Sequence, residues 1–166
     1  MYPLETTNLA AGALNSARVQ EIRICTVETV TSGLLAAALT SVSGASEIFE
    51  RGFILYHANA KATGLNVSPE LSKLYGAVSS PVTQALADHG LRHSGAGICV
   101  AITGYAGPTG GNEKDPIGTC YIAVSSIKKE KRIVERRRIE GDRDSVRLGA
   151  VDASLQILNK VLLEIN

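Results

Sequence analysis

The chain has 166 residues, of which 45% are hydrophobic and 20% charged; 17 Lys and Arg against 16 Asp and Glu give a formal charge of +1. That size suits one domain whose core needs no disulfide or metal staple, and the composition excludes an intrinsically disordered chain. The even charge balance gives no reason to expect a polyanion as partner.

With no Trp, two Phe and five Tyr, the core has to be mainly aliphatic. No apolar run approaches the ~20 residues of a membrane span. The start Met1-Tyr2-Pro3-Leu4-Glu5 lacks the basic and apolar stretches of a secretory leader, so a cytoplasmic location is expected. Cys25, Cys99 and Cys120 form no C-x-x-C pair and lie in apolar runs, which reads as buried, reduced thiols.

Residues 3–19 read as a helix, with Pro3 in its first turn and an Ala-rich body. Ile22–Val27 is a short strand that runs into the polar hinge Glu28-Thr29-Val30-Thr31-Ser32-Gly33, and Leu34–Val42 follows as a buried helix. After Ser43-Gly44-Ala45-Ser46, the pattern predicts a strand over Gly52–Tyr56 and a short helix over Ala58–Thr63 that carries Lys61. Ser68-Pro69-Glu70 and Ser80-Pro81 mark two helix starts, each with Ser at the N-cap and Pro as the first helical residue. Gly97–Ile102 is apolar throughout, as a central strand is, and ends in a ten-residue loop, Thr103–Asn112, that holds four glycines.

Strands over 117–127 and 131–139 pair as a hairpin around Lys128-Lys129-Glu130. The last helix begins at the N-cap Asp142 and repeats Val151, Leu155, Leu158, Leu162 and Ile165 as one apolar stripe. Strands that first alternate with helices and then form a hairpin predict an α/β protein, a three-layer α/β/α sandwich with a mixed sheet. No linker or repeat divides residues 1–166, so a single domain is expected.

Three constellations could carry chemistry. A strand that ends in hydroxyl residues and turns into a helix leaves backbone N–H groups for an anion or a developing oxyanion, with Thr29, Thr31 or Ser32 as donor or nucleophile; the plainer alternative is that Thr31 or Ser32 caps the helix. The glycines at 104, 107, 110 and 111 let a ligand approach the backbone, but their spacing is neither a dinucleotide fingerprint nor a Walker loop. Tyr56 and Lys61 stand five residues apart across a strand-to-helix turn, where a lysine of lowered pKa can serve a hydroxyl nucleophile as base. His89 and His93 lack a third ligand and read as a helix face rather than a metal site. The run from Lys128 to Arg138 reads as a charged edge that discourages strand pairing, with a nucleic-acid patch as the alternative.

Together these stretches resemble the C-terminal domain of the competence/damage-inducible protein CinA, a family that includes stand-alone nicotinamide mononucleotide deamidases. The resemblance runs from about Arg23 to Leu162. The family's A-E-S-C-T-G-G appears as Val27-Glu28-Thr29-Val30-Thr31-Ser32-Gly33, and its Y-x-N-x-x-K as Tyr56 to Lys61 with Asn59 one place late. Its G-A-V-S is Gly76-Ala77-Val78-Ser79, its T-G-x-A-G-P-x-G-G is Thr103–Gly111, followed by Pro116-Ile117-Gly118-Thr119, and its G-D-R is Gly141-Asp142-Arg143, with Arg147 one turn on.

The resemblance implies hydrolysis of nicotinamide mononucleotide to its acid and ammonia, without metal or cofactor. It also implies a homo-oligomer whose partner is a small-molecule nucleotide rather than nucleic acid or a membrane. The family's nucleophile falls on Thr29, its supporting Ser on Ser46, its Tyr on Tyr56 and its Lys on Lys61. Lys61 would then take the hydroxyl proton, directly or through Ser46. Glu28, Thr31, Ser32 and Gly33 would face the substrate, with hinge amides around Thr31–Gly33 steadying the oxyanion. Thr103, Gly104, Gly107, Gly110, Gly111 and Arg143 would hold the mononucleotide.

The hinge departs from the family pattern. Thr29 adds a β-methyl that stiffens χ1, and Val30 and Ser32 replace Cys and Gly. These changes leave a second reading, a family member that binds a nucleotide with little or no turnover, and a third of another class, nucleic-acid binding by the Arg-rich hairpin.

Overall fold

The computed structural model describes all 166 residues. The elements are α1 (Leu4–Val19), β1 (Ile24–Glu28), α2 (Leu34–Thr40), β2 (Phe49–Ile54), α3 (Ala60–Leu65), α4 (Pro69–Tyr75), α5 (Ser80–Ser94), β3 (Ile98–Gly104), β4 (Thr119–Ser126), β5 (Arg132–Arg138) and α6 (Arg143–Glu164). One five-stranded sheet has the order β2-β1-β3-β4-β5. β1 pairs parallel with β2 and β3, and β4 pairs antiparallel with β3 and β5, so the sheet is mixed as the alternation predicts.

Both faces of the sheet are covered, for a reason written in the side-chain alternation of its central strands. Ile24, Ile98, Val100, Ile102, Ile122 and Val124 point to one face and pack with residues of α1, α2 and α6. Cys25, Val27, Cys99, Ala101 and Ala123 point to the other and pack with α3 and α5. The first core is much the larger, and the whole predicted stripe of α6 lies in it: Val151, Leu155, Leu158, Leu162 and Ile165 are all buried. All three cysteines are buried and free. No helix is long and apolar enough to cross a membrane.

Local corrections have local causes. β2 begins three residues before the predicted strand, because Phe49 already pairs with Ile24 and an edge strand can carry Glu50 and Arg51. The short helix starts at Ala60 rather than Ala58. The cap of α5 is Ser79, not Ser80, which places Pro81 second in the helix, and neither Ser68 nor Ser79 makes a side-chain capping bond. Asp142 does cap α6, accepting from the Ser145 amide at 2.9 Å.

The order of strands decides where a ligand can enter. From β1 the chain crosses to β2 on one side and then, through α3, α4 and α5, to β3 on the other. The loops after β1 and β3 therefore part at the carboxyl ends of neighbouring parallel strands, where open α/β sheets form a crevice.

Candidate active site

At that crevice a cavity of about 320 Å³ is lined by residues from six segments, including Thr29 and Val30 after β1, Tyr56 after β2, Lys61 in α3 and Arg143 at the start of α6. Ala77 and Val78, ahead of α5, and the run Gly104–Gly107 with Thr109 complete it. Thr29, Tyr56, Lys61, Gly104, Gly107 and Arg143, separated by up to 114 positions, are thus brought together as the resemblance implies.

Thr29 stands immediately beyond β1, and its hydroxyl donates to the Ile102 carbonyl at 2.9 Å. The hydroxyl hydrogen is thereby committed to β3, and the oxygen keeps its lone pairs for other partners. Lys61 is 8% exposed. Burial, with no charged partner, pushes its ammonium below the ordinary lysine value of 10.5. Arg143 bridges the mouth: one guanidinium nitrogen donates to the Gly107 carbonyl at 2.7 Å and the other to the Tyr56 hydroxyl at 2.8 Å. This ties α6 to both the glycine loop and the end of β2.

The hinge corrects the expectation of a substrate-facing Glu28. Its side chain is fully buried, and its carboxylate accepts from the Thr31 hydroxyl at 2.7 Å and from the amides of Gly33, Leu35 and Ala36 at 2.9, 3.1 and 2.8 Å. Glu28 thereby caps α2, which neither Thr31 nor Ser32 does. Gly33 precedes the helix at φ +97° with no side chain to offer, so an acidic group from the preceding strand satisfies the helix start instead. Two of the three amides expected to steady an oxyanion are accordingly engaged, since Ser32 N–H donates to the Thr29 carbonyl and Gly33 N–H to Glu28. Thr31 is buried on Glu28, and Ser32 lies outside the cavity lining, exposed at φ +48° in the region that favours the family's glycine.

The position of Ser46 is a second correction. It sits in the short 3₁₀ turn Ala45–Glu47 before β2 and lines a separate depression with Thr40, Ser43 and Phe49. Phe49 pairs with Ile24, and at ~3.3 Å per residue that end of β1 lies roughly 16 Å along the strand from Thr29. Within the chain Ser46 is therefore not among the residues brought to Thr29 and Lys61.

Three further loop residues serve the backbone rather than the cavity. Thr103 is buried and shares a 2.8 Å hydrogen bond with Thr83 of α5. Gly110 lies over Tyr105, and a Cβ on Gly111 (φ +75°) would fall 2.8 Å from the Ile117 nitrogen, so glycine there lets the loop close on itself. Asp115 anchors the closed loop, accepting from Arg136 and Tyr121 at 2.9 Å each. What remains open is the backbone: the amides of Ala106, Gly107, Thr109, Gly110 and Gly111 make no hydrogen bond within the chain.

Sequence reasoning assigned no role to Val30, Ala77, Val78, Tyr105, Ala106 and Thr109, which line the cavity. Most lie inside quoted motifs, so the signal was present, but only the fold shows which members of a motif face inward. Elsewhere, His89 bonds the Leu65 carbonyl at 2.7 Å and stacks on His93. In the Arg-rich hairpin, Arg132 pairs with Asp88, Arg136 with Asp115 and Arg137 with Glu135.

Comparison with known proteins agrees with this geometry. The profile of the CinA C-terminal domain matches residues 6–162. A CinA-like protein of Syntrophobacter fumaroxidans is 44% identical over 142 residues, 86% of this chain but 33% of that protein. A putative competence-damage inducible protein of Caldicellulosiruptor saccharolyticus is 35% identical over 98% of this chain and 39% of its own length, so the chain spans little more than a third of these longer relatives. The nicotinamide-nucleotide amidohydrolase PncC of Escherichia coli K12 is 39% identical over 85% of both chains. The crystal structure of the competence/damage inducible protein CihA from Agrobacterium tumefaciens superposes with a TM-score of 0.93 at 31% identity, covering 98% of each chain. Sequence and fold together make this chain a member of the CinA C-terminal domain family.

Proposed function

We propose that the cavity hydrolyses the carboxamide of nicotinamide mononucleotide to nicotinate mononucleotide and ammonia. The observation that carries this reading is a hydroxyl, on Thr29, and a buried lysine of lowered proton affinity, Lys61, on the walls of one cavity. The name of the Escherichia coli relative supports the choice of substrate.

Lys61 as a neutral amine accepts the Thr29 proton while the oxygen attacks the carboxamide carbon. The resulting ammonium returns that proton to the departing nitrogen, which leaves as ammonia, and an ester remains on Thr29. Water, deprotonated by the same amine, then attacks the ester, releasing the acid and restoring the hydroxyl. The unpartnered amides of the glycine loop suit the phosphate, with Arg143 beside them as a charged donor.

One observation favours a second reading, a pocket that binds the nucleotide without turnover: the Thr29 hydroxyl is engaged by the Ile102 carbonyl, and its β-methyl crowds the approach. Ammonia release from nicotinamide mononucleotide separates the two. The amidase reading expects release that Thr29→Ala abolishes, with binding retained, and that Thr29→Ser increases. Binding with no release from the parent protein assigns the second reading, and release undiminished in Thr29→Ala removes Thr29 as nucleophile.

A further inference from the structure

The side chains that line the cavity include two cations, Lys61 and Arg143, and no carboxylate or imidazole. Glu28, the nearest acid in sequence, is fully buried, and its carboxylate accepts from the hinge and the start of α2. Arg143 is a permanent cation, spread between the Gly107 carbonyl and the Tyr56 hydroxyl. That leaves the Lys61 amine, whose proton affinity burial lowers, as the base for both the making and the breaking of an ester on Thr29.

Ammonia is the first product, and it leaves from the point where the Lys61 ammonium hands a proton to nitrogen. Run backwards, the same step brings a neutral amine to that point, adds its nitrogen to the ester carbon and passes its proton to Lys61. A position that releases ammonia is therefore also one that accepts a small amine. No acidic side chain in the lining holds a water molecule there ahead of a competing nucleophile. The two cations repel an ammonium ion, so the amine has to arrive uncharged. A cavity of about 320 Å³ must also contain the mononucleotide, which limits the amine to a few atoms.

We propose that the cavity is also an acyltransferase site, in which small uncharged primary amines take the nicotinate mononucleotide group from the Thr29 ester in place of water. The proposal rests on the amidase reading. The Thr29 oxygen first displaces ammonia from the carboxamide. The amine nitrogen then adds to the ester carbon and gives a proton to Lys61. The C–O bond to Thr29 breaks as that proton passes to the Thr29 oxygen, and an N-substituted carboxamide of the mononucleotide departs. Nothing is oxidised or reduced, and the amine is the only co-reactant consumed.

The test uses the full chain with nicotinamide mononucleotide and hydroxylamine, a small amine that is mostly uncharged at neutral pH. Ammonia, nicotinate mononucleotide and the hydroxamate of the mononucleotide are measured together. The ratio of hydroxamate to acid should rise in proportion to hydroxylamine, and the two products together should equal the ammonia released. The methyl ester of nicotinate mononucleotide should give the same ratio, because both substrates pass through one ester on Thr29. O-Benzylhydroxylamine should compete with water at least about ten-fold less well than hydroxylamine, since its ring has no room beside the mononucleotide. Thr29→Ala should form neither product; its thermal midpoint reports on the fold, and the ratios from the parent carry the test if it unfolds. Ammonia and acid without hydroxamate overturn the transfer and leave the amidase reading standing. Unequal ratios from amide and methyl ester, or hydroxamate undiminished in Thr29→Ala, overturn transfer through Thr29. Equal use of the two amines places the acceptor outside the cavity and overturns it as well. No ammonia from the amide removes the amidase reading; hydroxamate from the methyl ester would then still uphold the transfer, and its absence would end it.

Discussion

The loops that follow β1 and β3 leave neighbouring parallel strands at the same end of the sheet, yet they use their backbone amides in opposite ways. After β1, the amides of Gly33, Leu35 and Ala36 turn inward onto Glu28, and Ser32 closes a turn on Thr29. After β3, the amides from Ala106 to Gly111 have no partner within the chain, while the loop is anchored at its far end through Asp115. The first loop is a stiff mount for one hydroxyl, and the second is an open cradle. Glycine is common to both, but what separates them is what the buried carboxylate binds: Glu28 takes the amides of its own loop, whereas Asp115 takes the side chains of Tyr121 and Arg136 and leaves its loop's amides open. Counting glycines and hydroxyls along the chain cannot draw that distinction.

The comparison is broken most severely at Lys61, which faces both loops across the cavity. Lys61→Ala should lower kcat/KM by about 10²–10⁴-fold, the usual worth of a general base, and a smaller loss would mean the hinge hydroxyl is activated some other way. Parent activity should rise with pH as the amine loses its proton, with its midpoint below 10.5. The sign for stability follows from the same shift. The lysine's folded pKa lies below its unfolded value, so the unfolded chain binds more protons between the two and stability rises with pH across that window. Below the folded pKa the burial of the charge is a constant penalty. Lys61→Met should therefore raise the thermal midpoint at neutral pH, and the advantage should shrink as pH approaches 10.5.

A second, smaller effect sharpens the view of the hinge as mount. Glu28→Gln keeps the size of the side chain but removes the charge that five donors surround, the Thr26 hydroxyl at 3.3 Å among them, and should cost about 2–3 kcal/mol of unfolding free energy by denaturant titration. The mononucleotide KM of the folded fraction should not change, because Glu28 touches no part of the cavity. A raised KM at full stability would return Glu28 to the substrate. The smallest effect belongs to Ser46→Ala. With the side chain at the opposite end of β1, kcat and KM measured by ammonia release should stay within about two-fold of the parent, and a larger fall would show that the turn before β2 reaches the cavity in turnover.

The sequence by itself determined the elements and their layering. Runs such as Ile98–Ile102 and Cys120–Val124 are apolar at every position, which requires cover on both faces, and the stripe from Val151 to Ile165 supplies much of it. The motifs also named Thr29, Tyr56, Lys61 and Arg143, because each is a chemically distinctive side chain in a recognisable local frame. Tertiary structure decided everything that depends on direction and distance. Glu28 and Thr29 are adjacent in sequence, but alternation along an extended chain sends one under α2 and leaves the other at the cavity. Ser46 is close to Tyr56 in sequence, yet the strand between them carries the chain from one end of the sheet to the other. Arg147 has no local signal that sets it apart from other helical arginines. Its bonds to the Val30 and Thr31 carbonyls form only because α6 packs behind the hinge, where two carbonyls from 116 and 117 residues earlier come within reach of one guanidinium.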